Sequence, residues 1–148
     1  MKPHVRTLEQ APVDIAESRL PPPILSYVGG RSWRLEADYP YRDAETTITV
    51  PRGFVFDLSS IPRLLWGLIA PFELSVAAPL LHDFLYHHGG RPRAGAVVPH
   101  RVYNRAEVDA MFRGIMRKEG VPSWRRGLGY LAVRAFGRSA WREPAAVD

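Results

Sequence analysis

Hydrophobic and polar residues alternate along much of the first half of the chain, which is typical of strands. Residues 32–39 alternate with a period of two, the pattern of a half-buried strand. Residues 46–50 are rich in β-branched side chains, and residues 54–56 form a third, short apolar segment. Glycines and prolines that favour turns separate these segments. The first half therefore predicts a small antiparallel sheet.

In the second half the apolar residues recur at helical spacing, over residues 75 to about 87, 104 to about 120, and 124 to about 138. Asn104 followed by Glu107 is a capping-box pattern that marks the start of the second helix. Ser123 is expected to cap the third helix, whose predicted core residues are Leu128, Leu131, Ala132 and Ala135. The whole pattern predicts an α+β fold in which a small antiparallel sheet precedes three helices.

The length of 148 residues fits one domain. Prolines are frequent and periodicity is weak near the start, so we expect an extended proline-rich arm over residues 1–25, a single domain over residues 26–142 and a tail over residues 143–148. No apolar run approaches the length of a membrane-spanning helix, and the N-terminus has no signal-peptide pattern. The absence of cysteine excludes disulfides and cysteine-bound metals.

The net charge of +5 lies in the last third of the chain, because residues 1–100 carry ten basic and ten acidic side chains. Arg134, Arg138 and Arg142 follow one another at four-residue steps near the end of the last predicted helix. Such a stripe can be a solvated helix face, or it can dock onto the phosphates of an anionic lipid surface or of nucleic acid, or onto other proteins. The sequence contains no nucleic-acid-binding motif.

The chemically most informative segment is His82-Asp83-Phe84-Leu85-Tyr86, on the first predicted helix. Helical geometry places His82 and Tyr86 on one stripe, with Asp83 beside them and the leucines on the opposite side. We therefore expect this polar face to lie away from the apolar core. Asp109 borders the apolar stripe of the next helix and can reach His82 if the two helices pack together. A carboxylate on one imidazole nitrogen leaves the other nitrogen free to take a proton from water.

Carboxylates near this segment are candidate ligands for a divalent cation. Asp83 and Asp57 offer oxygen donors, which hard cations prefer, so calcium is expected rather than zinc. A zinc site that combines Asp83 with His87, His88 and His100 is the alternative, although adjacent histidines point in different directions on a helix.

The candidate ligand Asp57 and the polar residues around His82 also have purely structural interpretations. Asp57 precedes Ser59 and Ser60, and an aspartate in that context commonly caps the following turn, which we favour over a metal ligand. The polar residues around His82 can equally form the solvated side of an amphipathic helix.

The pattern H-D-x-x-Y on one helix, followed by an aspartate on the next, resembles the active site of secreted and viral phospholipases A2. The residues that carry it are His82, Asp83, Tyr86 and Asp109. The resemblance implies a hydrolase in which His82 is the general base for a water nucleophile and Asp83 binds calcium. The same resemblance implies that Tyr86 and Asp109 form a supporting hydrogen-bond network.

A second resemblance covers more of the chain. The blocks at residues 54–63, 82–86, 108–112 and 133–137 are similar to an uncharacterised domain family that is common in tailed bacteriophages and prophages. This implies a phage or prophage product, found in the bacterial host cytoplasm or in the virion. The two resemblances together lead to two alternative functions. One is a metal-dependent hydrolase; the other is a non-enzymatic virion or tail-assembly protein, in which the polar cluster is structural and the arginine stripe contacts other phage proteins.

Overall fold

A computed structural model describes residues 20–30, 32–57 and 76–142, and it confirms the α+β prediction. The strands are β1 (Leu25–Gly29), β2 (Ser32–Leu35), β3 (Tyr39–Asp43), β4 (Thr46–Val50), β5 (Val55–Phe56) and β6 (Val97–Val98). The helices are α1 (Ala77–His87), α2 (Arg105–Lys118) and α3 (Ser123–Phe136), and a short 3-10 helix follows at Gly137–Ala140.

The strands form two three-stranded antiparallel sheets, in the orders β1-β2-β5 and β3-β4-β6. The strand predicted over residues 32–39 is divided, because the chain bends at Glu36 and Ala37 and passes from one sheet to the other. The Asp38 side chain accepts a hydrogen bond from the Arg52 amide at 2.7 Å and ties this bend to the turn after β4. The sequence does not predict strands β1 and β6, and it predicts only the first residue of β3.

Helix α1 is buried almost throughout, because every residue from Ala77 to Tyr86 is buried. The expectation that its polar face lies away from the core is therefore wrong. The ring of Phe112 on α2 lies 4.8 Å from the His82 ring, and the ring of Trp141 lies 5.1 Å from that of Tyr86. Because other elements cover this face, its polar groups need partners inside the protein.

Helix α2 begins as the sequence predicts. The Asn104 side chain accepts a hydrogen bond from the Glu107 amide at 2.8 Å, and the Glu107 carboxylate accepts one from the Asn104 amide, which completes the capping box. The buried face of α2 carries Val108, Asp109, Phe112, Ile115 and Met116. One carboxylate is thus enclosed within an otherwise apolar stripe.

Helix α3 departs from the prediction in its start and in its buried face. It begins at Ser123 with Pro122 in the capping position, and no side chain caps it. Its buried residues are Gly129, Ala132 and Val133, whereas Leu128 and Leu131 are 39% and 62% exposed and Ala135 is exposed. Of the predicted core residues only Ala132 is confirmed. Two of the three buried positions of α3, Gly129 and Ala132, carry small side chains, which suit close packing between helices.

A glycine turn ends α1 and connects it to the segment before α2. Gly90 has a φ of +74°, and its amide donates to the Leu85 carbonyl at 2.8 Å. The Gly90 carbonyl accepts from the Tyr103 amide at 3.0 Å. A Cβ at this position would lie 1.8 Å from the Tyr103 carbonyl oxygen, so only glycine fits here.

Parts of three sequence predictions lie outside the described residues. These are the arm as far as residue 19, the tail over residues 143–148, and the turn after Asp57. The described end of the arm packs on the domain, because the Tyr39 hydroxyl donates to the Pro21 carbonyl at 2.7 Å. Within the described ranges, no helix has the length and apolar character needed to cross a membrane.

Candidate functional site

The structure brings His82 and Asp109 into direct contact at the interface of α1 and α2. Nε2 of His82 lies 2.8 Å from Oδ1 of Asp109. His82 is 2% exposed and Asp109 is fully buried. The contact follows from local geometry, because both residues project from the mutually packed faces of two consecutive helices.

Asp109 accepts hydrogen bonds on both of its carboxylate oxygens. The Tyr86 hydroxyl donates to Oδ1 at 2.5 Å, and Nη1 of Arg134 on α3 donates to Oδ2 at 2.8 Å. Nε of Arg105, one helical turn before Asp109, lies 4.0 Å from Oδ2. The buried carboxylate is thus compensated by groups from all three helices.

Arg105 fixes the outer side of this network. Its Nε donates to the Tyr86 hydroxyl oxygen at 3.0 Å, while its Nη2 donates to the carbonyls of Val133 and Arg134 at 2.8 and 2.7 Å. Sequence reasoning missed the roles of Arg105 and Arg134. The spacing of Arg105 and Asp109 by four residues was a usable signal, whereas the contact from Arg134 depends on how α3 packs.

The protonation states follow from burial and from the partners. Burial lowers the pKa of His82 and outweighs the opposing effect of the Asp109 carboxylate. Burial alone raises the pKa of Asp109, but hydrogen bonds from His82, Tyr86 and Arg134 outweigh it and hold that pKa below its usual range. Near neutral pH the pair is therefore a neutral imidazole and an ionised carboxylate.

This charge state determines the tautomer of His82. An ionised carboxylate can only accept hydrogen bonds, so Nε2 of His82 carries the proton that it donates to Asp109. Nδ1 is then the unprotonated, basic nitrogen.

Tyr86 acts as a neutral link between the charged groups. Burial, and then the hydrogen bond to Asp109, raise the pKa of the phenol well above its usual value. The hydroxyl therefore keeps its proton, donates it to Asp109 and accepts from Arg105. Gly137 packs against this phenol, because a Cβ there would lie 2.8 Å from the Tyr86 hydroxyl oxygen.

A cleft of about 170 Å³ lies beside the buried network. Asp57, Asp83, Tyr86, His87 and Arg142 are among the residues that line it. The Asp57 amide donates to Oδ2 of Asp83 at 3.2 Å, so the end of β5 meets α1 at the cleft. The structure thus brings Asp57 and Asp83 together, while the described residues around the cleft do not include His82.

A metal site is not complete within the described residues. Residues 20–30, 32–57 and 76–142 contain no group of three or more histidine, aspartate or glutamate side chains placed to hold a metal ion. The zinc alternative needs such a group from Asp83, His87, His88 and His100, which the structure does not bring together.

The three arginines predicted to form one stripe lie in different settings. Arg134 is the only one on α3, and it contacts Asp109. Arg138 lies in the 3-10 helix, and Arg142 places Nη1 3.4 Å from Nε2 of His87. Burial and then the Arg142 charge lower the pKa of His87. The helix ends at Phe136, so the four-residue spacing no longer aligns these side chains.

A family described as "Protein of unknown function (DUF1353)" matches residues 33–133 of the chain. This span includes His82, Asp83, Tyr86, Arg105 and Asp109 and ends one residue before Arg134. Neither the curated proteins nor the solved structures contain a significant match.

Proposed function

We propose that this chain, which belongs to the DUF1353 family of proteins of unknown function, is a hydrolase with His82 as its general base. The observation that carries the proposal is the 2.8 Å contact between Asp109 and Nε2 of His82. It supports a base at Nδ1, because a carboxylate on one ring nitrogen fixes the tautomer and stabilises the imidazolium that forms when the other nitrogen takes a proton.

In the proposed step Nδ1 of His82 removes a proton from a water molecule as the water oxygen attacks the carbonyl carbon of an ester. The proton that His82 takes then passes to the leaving alkoxide, so that the imidazole returns to its neutral form. Asp109 keeps its negative charge throughout and holds the ring in position. Tyr86 and Arg134 in turn hold Asp109, as their hydrogen bonds to its two oxygens indicate.

The class of substrate comes from the resemblance to phospholipases A2. The pattern H-D-x-x-Y with a later aspartate supports an ester substrate, with a lipid ester as the first choice. The cleft adjoins the network through Tyr86, and in this proposal the ester group of the substrate enters there.

The resemblance to phospholipases A2 implies a calcium ion beside this site. Asp83 and Asp57 would be its ligands, but Oδ2 of Asp83 already accepts the Asp57 amide and the described residues supply no third carboxylate or imidazole. Calcium prefers six to eight oxygen ligands, so water or backbone carbonyls would have to complete a site at these two residues. Calcium binding at Asp83 and Asp57 therefore stays a prediction for direct titration.

A second candidate function is that of a non-enzymatic phage virion or tail-assembly protein. The observation that favours it is burial: His82 is 2% exposed, Asp109 is fully buried, and both oxygens of Asp109 are hydrogen-bonded. A sealed and satisfied network can serve the fold alone. Docking to phage proteins or to an anionic lipid surface would then involve Arg138 and Arg142, because Arg134 is engaged by Asp109.

The resemblance to phage-encoded domains supports either function in a phage or prophage product that acts in the host cytoplasm or the virion. A hydrolysis assay distinguishes the two. The full chain is incubated with a panel of fluorogenic esters and with phosphatidylglycerol vesicles, each with and without calcium.

The informative variant is His82→Gln, and the matched control is His100→Gln at an exposed position. The proposal expects hydrolysis by the wild type and by the control and a loss of about a hundredfold or more in His82→Gln. Equal hydrolysis by folded His82→Gln, or none by the wild type on the whole panel, would favour the non-enzymatic function.

A further inference from the structure

We propose that a second pocket, formed by the glycine turn after α1, the start of α2 and the segment Arg138–Trp141, binds the phosphate group of an anionic ligand. The pocket has a volume of about 540 Å³ and is separate from the cleft beside Asp83. Its size lies in the range of sites that hold small organic molecules. The proposal does not depend on the hydrolase function.

The charge of the pocket is the first argument. Arg91, Arg105 and Arg138 line it, and none of the described residues that line it is acidic. Arg105 also lies 4.0 Å from Oδ2 of Asp109, whereas no ion pair joins Arg91 or Arg138 to a carboxylate of the described residues. Two arginines without a carboxylate partner, beside a third that shares Asp109 with Arg134, create a positive potential that favours an anion.

The availability of these arginines is the second argument. Nε and Nη2 of Arg105 are already engaged by Tyr86 and by the carbonyls of Val133 and Arg134. Across the described part of the chain, no side chain or carbonyl accepts a hydrogen bond from the guanidinium groups of Arg91 or Arg138. Their donors match the geometry of phosphate oxygens, which a guanidinium can bind in pairs.

The walls of the pocket are the third argument. Trp141 provides aromatic surface, and its ring is held edge-on by Tyr86 at 5.1 Å and 90°. Gly90 packs closely against both the Tyr103 carbonyl and the Trp141 ring, which lies 3.1 Å from the position of its missing Cβ. A phosphate group fills only part of this volume, so we expect the ligand to carry an organic portion that packs on Trp141.

The test is a calorimetric titration of the full chain with inorganic pyrophosphate, followed in parallel by tryptophan fluorescence. The variants are Arg91→Gln and Arg138→Gln, neither of which contacts His82 or Asp109. The control is Arg117→Gln, an exposed position on α2 that removes the same charge away from the pocket. Cosedimentation with phosphatidylglycerol vesicles, and with phosphatidylcholine vesicles as the neutral comparison, distinguishes a lipid headgroup from a free phosphate compound.

We expect the wild type and Arg117→Gln to bind pyrophosphate equally and each pocket variant to bind about tenfold more weakly or worse. Vesicle binding that requires Arg91 and Arg138, without pyrophosphate binding, supports the same pocket with a lipid headgroup as its ligand. Equal weakening in Arg117→Gln would show attraction to the net charge only and would overturn the proposal. So would the absence of binding to both probes by the folded wild type.

Discussion

Nε2 of His82 lies 2.8 Å from Oδ1 of Asp109, although the two residues are 27 positions apart in the sequence. The contact joins α1 to α2 inside the core, where Asp109 has no exposed surface. A buried carboxylate is stable only when its oxygens are paired, and here every partner donates a hydrogen bond. The pair therefore has consequences for stability as well as for the proposed chemistry.

Acid is expected to destabilise the protein through His82. Its pKa is lowered in the folded state from the ordinary value of 6.5, so the unfolded chain binds this proton more readily. The stability contributed by the neutral imidazole is present above pH 6.5 and is lost as the pH falls below that value. We expect the free energy of unfolding to fall by up to about 1.4 kcal/mol per pH unit for this group.

Urea unfolding of the wild type and of His82→Gln at several pH values between about 7 and 5 measures this slope. The pKa values of His87 and His88 are also lowered, chiefly by burial, so part of the slope remains in the variant. The control is His100→Gln, which replaces an exposed histidine. An identical slope in His82→Gln would contradict a neutral, buried imidazole at this position.

The Tyr86 hydroxyl is expected to stabilise the fold more than an ordinary buried phenol does. Tyr86→Phe removes the hydrogen bonds to Asp109 and from Arg105, both of which are charged, and should cost about 1.5–3 kcal/mol. Tyr39→Phe is the matched control, because it removes one bond to the neutral Pro21 carbonyl and should cost about 1 kcal/mol. Thermal unfolding measures the loss of stability in each variant. Equal losses in Tyr86→Phe and Tyr39→Phe would argue against a charged network around Tyr86.

The glycine turn after α1 gives a prediction about packing. Gly90→Ala places a Cβ 1.8 Å from the Tyr103 carbonyl oxygen and should cost about 3 kcal/mol or more. Gly95→Ala is the control, because Gly95 also has a positive φ, of +91°, but has nothing within 4 Å of its added Cβ. Its loss should be about 1–2 kcal/mol, from backbone strain alone. Chemical denaturation of both variants gives the comparison, and a smaller loss for Gly90→Ala would be inconsistent with the close approach.

Local signals predicted those parts of the structure that local forces determine. The capping box of Asn104 and Glu107 marks the start of α2, and four-residue spacing places His82 and Tyr86 on one face of α1. The position of Asp109 on the packed face of α2 was sufficient to anticipate its contact with His82.

Features that depend on packing between distant elements could not be read from spacing. Leu131 has the hydrophobicity of a core residue, but the approach of α3 to α2 through small residues such as Gly129 leaves it 62% exposed. The sequence predicts Arg134 on a surface stripe, whereas the packing of α3 directs its side chain to Asp109. The two residues of β6 are too few to show a periodic pattern, and they form a strand only because β4 pairs with them.

Calcium binding can be tested independently of catalysis. If Asp83 and Asp57 hold a cation, titration of the wild type with calcium should give a saturable heat that Asp83→Asn abolishes. Asp38→Asn, at an exposed carboxylate distant in sequence from the cleft, should bind as the wild type does. Binding of zinc but not of calcium, or equal calcium binding by Asp83→Asn, would contradict the expected ligands.

The most direct test of a general base at His82 is Asp109→Asn, a nearly isosteric change that removes the charge fixing the tautomer. Because Arg134 then loses its buried carboxylate, we expect a lower melting temperature, so the kinetics are measured well below it on protein shown to be folded. With the ester that the wild type hydrolyses best, the account predicts that turnover falls by orders of magnitude, up to about ten-thousand-fold. A folded Asp109→Asn variant that hydrolyses this ester at the wild-type rate would contradict it.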